Sequence, residues 1–280
     1  MHDERFLAVN ANEDEIRQGF VTEAYAFGAL VYSLVVRDLR SEHKNAALGI
    51  LISVAQPLLM GLLFYGFMMM MGGGFSQIRG DALTFVIIGF IIFFTHIRTV
   101  SAVSMALRQD MMNHSRLSPF LMISVKAISS FYKNLFALLI MLVLNYLLRD
   151  VWEMHDPLLF VSVMFWCWTG GVAAGTVFLA LNRYLSWGSI LHTTYIRIMF
   201  FTSGKFFVAN NMPGDLRPYF DWNPLFHLLD QGRAAIFLNY TGRTTEMTYP
   251  IIVILAILVI GFLAEHHVRR HFNMSHVPGG

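Results

Sequence analysis

Six long apolar stretches constrain this chain more than any other feature of its sequence. A helix needs roughly 20 apolar residues to cross about 30 Å of hydrocarbon, and the six stretches reach or approach that length. They predict spans at about 46–71, 82–107, 119–148, 157–181, 190–207 and 247–264. Because lipid offers no water to the backbone, these spans must be helical. The sequence therefore predicts an all-α integral membrane domain of six transmembrane helices over residues 46–266.

The composition agrees with lipid as the main solvent of the chain. Hydrophobic residues make up 56% of the 280 residues, charged residues only 14%, and 25 residues are Phe. Such values are typical of membrane proteins. The formal net charge of +2 is too small to indicate nucleic-acid binding.

The fourth predicted span, at 157–181, contains no charged residue. Its Gly171 and Gly175 are one helical turn apart, and small residues at this spacing let a second helix approach closely. The same span holds Cys167, the only cysteine, so an intramolecular disulfide is excluded and a thiol metal site is not expected. We interpret Cys167 as a small residue of the core.

The two ends of the chain are polar. Residues 1–22 are acidic where a signal peptide would be basic and then apolar, so we expect a cytoplasmic tail there and a second one at 267–280. The 13 mostly apolar residues from Ala24 to Val36 are too short to span and are followed by Arg37, Asp38, Leu39 and Arg40. This pattern predicts a helix within residues 23–45 that lies in the headgroup plane.

The sidedness of the spans follows from the basic residues of the connecting segments, which are enriched on the cytoplasmic side. With the N-terminus inside, ten Lys and Arg lie inside and five lie outside. The inside residues are Arg5, Arg17, Arg37, Arg40, Lys44, Arg108, Arg116, Arg183, Arg269 and Arg270, and the outside residues are Arg79, Arg149, Arg217, Arg233 and Arg243. We therefore expect both termini in the cytoplasm.

The sequence contains no recognisable catalytic, metal-binding or nucleotide-binding motif. His267 and His271 would share a helical face, but Val268 stands where a zinc protease needs its glutamate. The segment Ser203-Gly204-Lys205-Phe206 lacks the upstream glycine and the hydroxyl residue of a phosphate loop. We expect no catalytic residue, metal or cofactor in this chain, so nucleotide-driven transport would require a separate subunit.

A second short helix is predicted in the long outside segment between the last two spans. Asn223 is a good N-cap, Pro224 suits the first helical position, and Leu225, Leu228 and Leu229 form an apolar stripe. These residues predict an amphipathic helix at the outer membrane face. Periodicity does not distinguish an inert lid from a moving gate.

Three motifs resemble the inner-membrane permeases of capsular polysaccharide and O-antigen ABC exporters, which are type-2 ABC exporter permeases. The motifs are Trp222-Asn223-Pro224-Leu225 followed by His227 and Arg233, the pattern Arg37-Asp38-Leu39-Arg40, and Gln56-Pro57. The resemblance covers roughly residues 25–270, and the Trp-Asn-Pro segment is its most specific part. The acidic N-terminal tail is longer than the family pattern.

The resemblance implies a homodimer in the bacterial inner membrane, each subunit paired with a cytoplasmic ATPase that binds ATP and Mg. Lipid-linked polysaccharide would move outward, and periplasmic and outer-membrane export proteins are further candidate partners. Docking on the ATPase would involve Arg37, Asp38 and Arg40 and the segment with Arg108, Gln109, Asp110, Asn113 and Arg116, otherwise a solvated loop. A periplasmic re-entrant or gate helix would include Trp222, Asn223, Pro224, His227 and Arg233.

Three cations lie in the cytoplasmic halves of predicted spans: Arg98, Lys126 and Arg197. A cation at the centre of a membrane helix costs about 2.5–3.5 kcal/mol on insertion scales, which suggests a purpose. We hypothesise that some of them bind phosphate groups of a lipid-linked polymer, although snorkelling to headgroups explains them equally well. Six aromatic residues would also present flat faces to sugar rings, but ordinary packing is the simpler interpretation: Phe64, Tyr65, Phe67, Phe90, Phe93 and Phe94.

Two other functions remain open at this point. The same scaffold would suit an ABC exporter of a small amphiphile or lipid. A membrane-embedded transferase is an alternative of another class, and it would need a set of acid, base or metal residues that the sequence does not display.

Overall fold

The computed structural model of the chain describes residues 25–39, 46–70, 82–107, 118–149 and 154–274. Within these ranges all regular structure is helical, as predicted. A single 3₁₀ turn, Ala209–Asn211, lies among the described elements. The helices are α1 (25–39), α2 (Ala46–Met70), α3 (Ala82–Ser104), α4 (Pro119–Arg149), α5 (Pro157–Tyr184), α6 (Gly188–Thr202), α7 (Pro218–Asp221), α8 (Pro224–Ile236) and α9 (Thr248–Met274).

Four of the described helices are long and apolar enough to cross a membrane. They are Ala82–Ser104, Pro119–Ile140, Pro157–Tyr184 and Thr248–Val268, which correspond to the second, third, fourth and sixth predicted spans. The helix α2 covers the predicted first span, and its described apolar part is Ala55–Phe67. The chain is therefore a multi-pass membrane protein, and the count of six spans stays a prediction.

The fifth predicted span differs most from the structure. The helix α6 has 15 residues, about 22 Å at 1.5 Å per residue, and it ends at Thr202 instead of continuing to residue 207. The chain turns directly afterwards at Gly204, whose φ of 74° lies in the left-handed region that glycine adopts without strain. Hydropathy did not show this turn, because Thr202, Ser203 and Lys205 beside Gly204 stand between two pairs of Phe residues and are too few to end an apolar window.

The last helix extends beyond its predicted end. We placed the end of the sixth span at residue 264, whereas α9 continues to Met274. Residues 265–274 are mostly polar, but they contain neither Gly nor Pro to stop the helix. The apolar window thus marks the span and not the whole helix, so much of the predicted tail at 267–280 is helical.

The core of the bundle is α3. Nearly all of its residues are buried, as expected for a helix that is apolar on every side. It packs against α2, α4, α5 and α8, while α5 also packs along α9. The described bundle is therefore built around the pair α3 and α5, which run in the same direction.

Glycines allow the close approach of α3 and α5, which confirms the interpretation of Gly171 and Gly175. A Cβ atom at Gly171 would lie 2.6 Å from Thr99 Cβ and 2.8 Å from the His96 carbonyl oxygen. A Cβ atom at Gly175 would lie 2.7 Å from Val103 Cβ. Such close packing is the main source of helix association in lipid, where the hydrophobic effect does not drive helices together.

Polar side chains join α4 and α6 to α3 inside the bundle. On α4, Asn134 Nδ2 donates to the Thr95 carbonyl oxygen at 3.3 Å and to Thr99 Oγ1 at 3.2 Å. On α6, the Tyr195 hydroxyl lies 2.7 Å from His96 Nε2. Because water is absent in the bilayer core, such side chains hydrogen-bond to one another across helices.

Replacing Gly171 with Val should destabilise the bundle by about 1–3 kcal/mol, because the new side chain would overlap Thr99 and separate α3 from α5. Thermal unfolding of the purified protein in detergent would measure the effect. Gly66→Val is a matched control, since among the described residues a Cβ atom at Gly66 meets nothing within 4 Å outside its own helix. Equal unfolding temperatures for the two variants would contradict the packing role of Gly171.

Candidate functional site

The predicted interfacial helix α1 lies against the start of α4. Val35 is buried against Leu121 and Val125, with Val31 and Leu34 packed beside them. Four other large apolar residues of α1 are exposed: Tyr25, Phe27, Leu30 and Tyr32. The helix therefore attaches to the bundle by one apolar stripe and leaves further apolar side chains open to its surroundings.

The charged residues predicted for ATPase docking divide into two groups. Arg37 is exposed, whereas Asp38 is buried and its Oδ1 lies 2.6 Å from Lys126 Nζ on α4. The Asp38 side chain therefore faces the bundle. The other predicted docking residues lie outside the described residues: Arg40, Arg108, Gln109, Asp110, Asn113 and Arg116.

At the other end of the bundle, α8 begins as the sequence predicts. The Asn223 side chain accepts a hydrogen bond from the Leu225 backbone N–H at 2.9 Å, and Pro224 occupies the first helical position. Asn223 Nδ2 also donates to Thr202 Oγ1 at 2.8 Å, at the last residue of α6. The N-cap thus fixes both the start of α8 and its position beside α6.

The apolar stripe of α8 is buried, as predicted. Leu225, Leu228 and Leu229 belong to the main hydrophobic core, and α8 packs against α3, α5 and α9. The carbonyl of Ala235 accepts a hydrogen bond from the backbone N–H of Asp156, just before α5, at 2.8 Å. The contacts with the starts of α3, α5 and α9 place α8 at the end of the bundle that the sidedness prediction assigns to the outside. We refer to residues 203–247 as the outer cap.

Arg233 is the central polar residue of the outer cap. It is 1% exposed, and its guanidinium lies 3.6 Å from the centre of the Phe85 ring. Its Nη1 donates to the carbonyls of Gly204 at 3.0 Å and Phe207 at 2.8 Å, and its Nη2 donates to the carbonyl of Lys205 at 2.7 Å. One side chain on α8 therefore satisfies the backbone of the turn that follows α6.

A second buried charge, Asp230, lies one turn before Arg233. Its carboxylate accepts hydrogen bonds from the Tyr240 hydroxyl and from Thr245 Oγ1, the latter at 2.7 Å. Burial raises the pKa of the Asp230 carboxyl, while these hydroxyls and the charge of Arg233 act in the opposite direction. Asp230 thus ties α8 to the segment that leads into α9.

Lys205 is also buried in the outer cap. Its ammonium lies 3.5 Å from the centre of the Phe200 ring, 3.8 Å from that of Phe93 and 4.4 Å from that of Phe206. It also donates to the carbonyl of Phe200. Phe93 and Phe90, two of the aromatic residues considered for sugar stacking, therefore lie around a lysine of the chain itself.

His227 and Trp222 belong to the Trp-Asn-Pro motif, and both form hydrogen bonds within the outer cap. His227 Nε2 donates to the Asp221 carbonyl at 3.0 Å, and its Nδ1 accepts from the Glu246 backbone N–H at 3.4 Å. Trp222 is half exposed, and its carbonyl accepts a hydrogen bond from the Tyr249 hydroxyl of α9 at 2.8 Å. Both residues therefore connect the start of α8 to the start of α9.

The three intramembrane cations have different surroundings. Arg98 is partly buried, and its Nη2 donates to Gln56 Oε1 on α2 at 3.3 Å. Arg197 is exposed on α6, and Lys126 is paired with Asp38. Arg98 therefore contacts the Gln56-Pro57 motif, which is one of the three motifs of the family resemblance. Sequence reasoning did not select Asp230 or Lys205, although Lys205 is an isolated charge beside apolar residues, which is the signal that selected Arg98.

Within the described ranges, the His, Cys, Asp and Glu residues form no group that would hold a metal ion.

A known protein family matches most of the chain. The family model of the ABC-2 type transporter matches residues 29–237, which is well over half of the 280-residue chain and includes most of α1 and all of α8. None of the curated proteins matches the chain.

The chain therefore belongs to the ABC-2 type transporter family. It is a membrane permease component of an ABC exporter, and this component is not itself catalytic. The family implies an ABC ATPase as a partner.

Replacing Arg233 with Lys should lower the free energy of unfolding by at least about 3 kcal/mol, because one ammonium cannot reach the three carbonyls that the guanidinium joins. Thermal unfolding in detergent would measure this loss. The exposed Arg243 serves as the control, and Arg243→Lys should change stability by less than about 0.5 kcal/mol. An Arg233→Lys protein as stable as the parent would refute the role of Arg233.

Proposed function

We propose that this chain is the permease subunit of an exporter that moves lipid-linked capsular polysaccharide or O-antigen across the bacterial inner membrane. The observation that carries the proposal is the outer cap, in which the Trp-Asn-Pro segment begins a helix that lies across the predicted exit. Family membership supports the transport role, and the resemblance of this segment supports the polysaccharide substrate. Both termini lie in the cytoplasm in this proposal.

The work of the chain in this proposal is conformational. A separate ATPase subunit binds ATP and Mg, and its closure displaces α1 and the segment at 108–116. Two copies of the permease form a homodimer, and the path for the polymer opens between them. No side chain of the permease forms or breaks a covalent bond.

The contacts of the outer cap indicate how an exit would open. Arg233 joins α8 to the turn at 204–207, so these segments move together and not separately. The hydrogen bonds between α8 and the segment that leads into α9 are at least as numerous, and they join Asp230 to Tyr240 and Thr245, Gln231 to Thr245, and His227 to Glu246. We infer that α8, the turn after α6 and the segment that leads into α9 form one gate element.

A second candidate is an exporter of a small amphiphile or lipid. A cavity of about 170 Å³ between α4 and α5 favours it, because the surface that lines this cavity is almost wholly apolar. Its lining residues include Phe131, Phe165 and Trp168. This candidate predicts that small amphiphiles, and not glycolipid, stimulate the partner ATPase. A transferase would instead show turnover by the purified chain without an ATPase.

The proposed function is tested by co-purifying the permease with its ATPase and measuring ATP-dependent movement of a fluorescent lipid-linked oligosaccharide in inside-out vesicles. Arg37→Glu should weaken ATPase binding at least tenfold, because Arg37 is exposed on the predicted docking helix. Arg243→Glu reverses an exposed charge at the opposite end and should bind normally. Glycolipid that stays in place while ATP is hydrolysed would exclude the polysaccharide proposal.

Arg98→Gln and Arg197→Gln should each reduce movement of the same phosphate-linked glycolipid at least fivefold if these cations bind its phosphate groups. Initial rates in vesicles at matched permease content would show the change. Thr193→Val on α6 is the control, because Thr193 is exposed and its hydroxyl donates to the Ser189 carbonyl of its own helix. Unchanged rates for both arginine variants would leave snorkelling as their explanation.

A further inference from the structure

The start of α4 carries a polar stripe that runs from α1 towards the centre of the bundle. Lys126, Ser130 and Asn134 follow one another at intervals of four residues, which places them along one side of the helix. Each of them has a polar partner on another helix. We refer to these three residues as the α4 stripe.

The first contact of the stripe joins α4 to α1. Lys126 Nζ lies 2.6 Å from Asp38 Oδ1, and the two side chains are 18% and 3% exposed. Val35 packs on Leu121 and Val125 beside this pair. An ion pair with so little exposure fixes the position of α1 against α4. Separating the two side chains would leave an unpaired charge where little water reaches it.

The remaining contacts of the stripe join α4 to α3. Ser130 Oγ lies 2.7 Å from Thr99 Oγ1, and Asn134 Nδ2 donates to the Thr95 carbonyl oxygen and to Thr99 Oγ1. Thr99 is also the residue against which Gly171 of α5 packs. The stripe therefore connects the predicted docking helix to the most buried helix of the bundle.

We propose that the Asp38–Lys126 ion pair and the α4 stripe are the positioning residues that transmit movement of α1 to α3. The inference rests on the proposed function, in which the ATPase displaces α1. It assigns Lys126 to coupling and not to binding of the substrate phosphate. An apolar contact alone would let α1 slide along α4, whereas directional polar contacts at three successive turns of α4 hold the register of the helices that they join.

The test uses the complete complex of permease and ATPase in nanodiscs of phosphatidylethanolamine and phosphatidylglycerol. Ile236 is 5% exposed at the end of α8, so in a Cys167→Ser background an Ile236→Cys thiol reports opening of the outer cap. Its labelling by a water-soluble maleimide is compared with ATP and with ADP, and ATP hydrolysis is measured on the same sample. Neither readout requires the transported substrate.

In Lys126→Met we expect ATP hydrolysis within about twofold of the parent and an ATP-dependent rise in labelling that is at least about fivefold smaller. Lys126→Arg, which keeps the cation beside Asp38, should restore more than half of the rise. If the ion pair were purely structural, its removal would lower thermal stability and leave the ratio of labelling to hydrolysis unchanged. An unchanged ratio in Lys126→Met would therefore overturn the inference.

A second position keeps the test decisive if Lys126→Met does not fold. Ser130→Ala removes one hydroxyl of the stripe and should reduce the ratio at least about threefold. Ser124→Ala on the same helix is its control, because Ser124 Oγ donates to the Phe120 carbonyl of α4 itself. Equal ratios for the two serine variants would overturn the inference. A parental complex whose labelling does not respond to ATP would overturn the proposed function, and the inference with it.

Discussion

The close contact between α3 and α5 is the constraint on which the rest of the packing depends. Gly171 and Gly175 bring the two backbones together, and in lipid such van der Waals contact replaces the hydrophobic effect as the source of association. The pair then supports the outer cap, because Gly232 of α8 packs closely on Ile92 of α3 and Val163 of α5. A wider separation of α3 and α5 would remove the surface on which α8 lies.

Local chemistry made much of the fold predictable. The apolar stretches predicted the all-helical class and four helices that are long enough to span, and Asn223-Pro224 predicted the start of α8, because a cap acts on the next few residues. The end of α6 was not predictable in this way. It depends on a turn at Gly204 whose carbonyls are satisfied by Arg233, far along the chain.

The candidate site was predictable in composition but not in its contacts. An isolated cation in an apolar stretch indicates a purpose, which drew attention to Arg98 and Lys126. The sequence does not say which partner such a residue meets, since Asp38 and Lys126 are 88 positions apart. Lys205 carries the same signal within the outer cap, and only the tertiary structure shows that Lys205 and Asp230 lie there beside Arg233.

The order of the hydrogen-bonding residues of the outer cap along the chain has a consequence for the synthesis of the protein. Asp230 of α8 needs the hydroxyls of Tyr240 and Thr245, and the Trp222 carbonyl needs that of Tyr249, so every one of these partners is translated after the helix it secures. A nascent chain that ends before Tyr240 therefore holds the Asp230 carboxylate without its hydroxyl partners. The Trp222 carbonyl gains its partner only when Tyr249 of the final helix has been synthesised, so the contacts of the outer cap are complete only with α9.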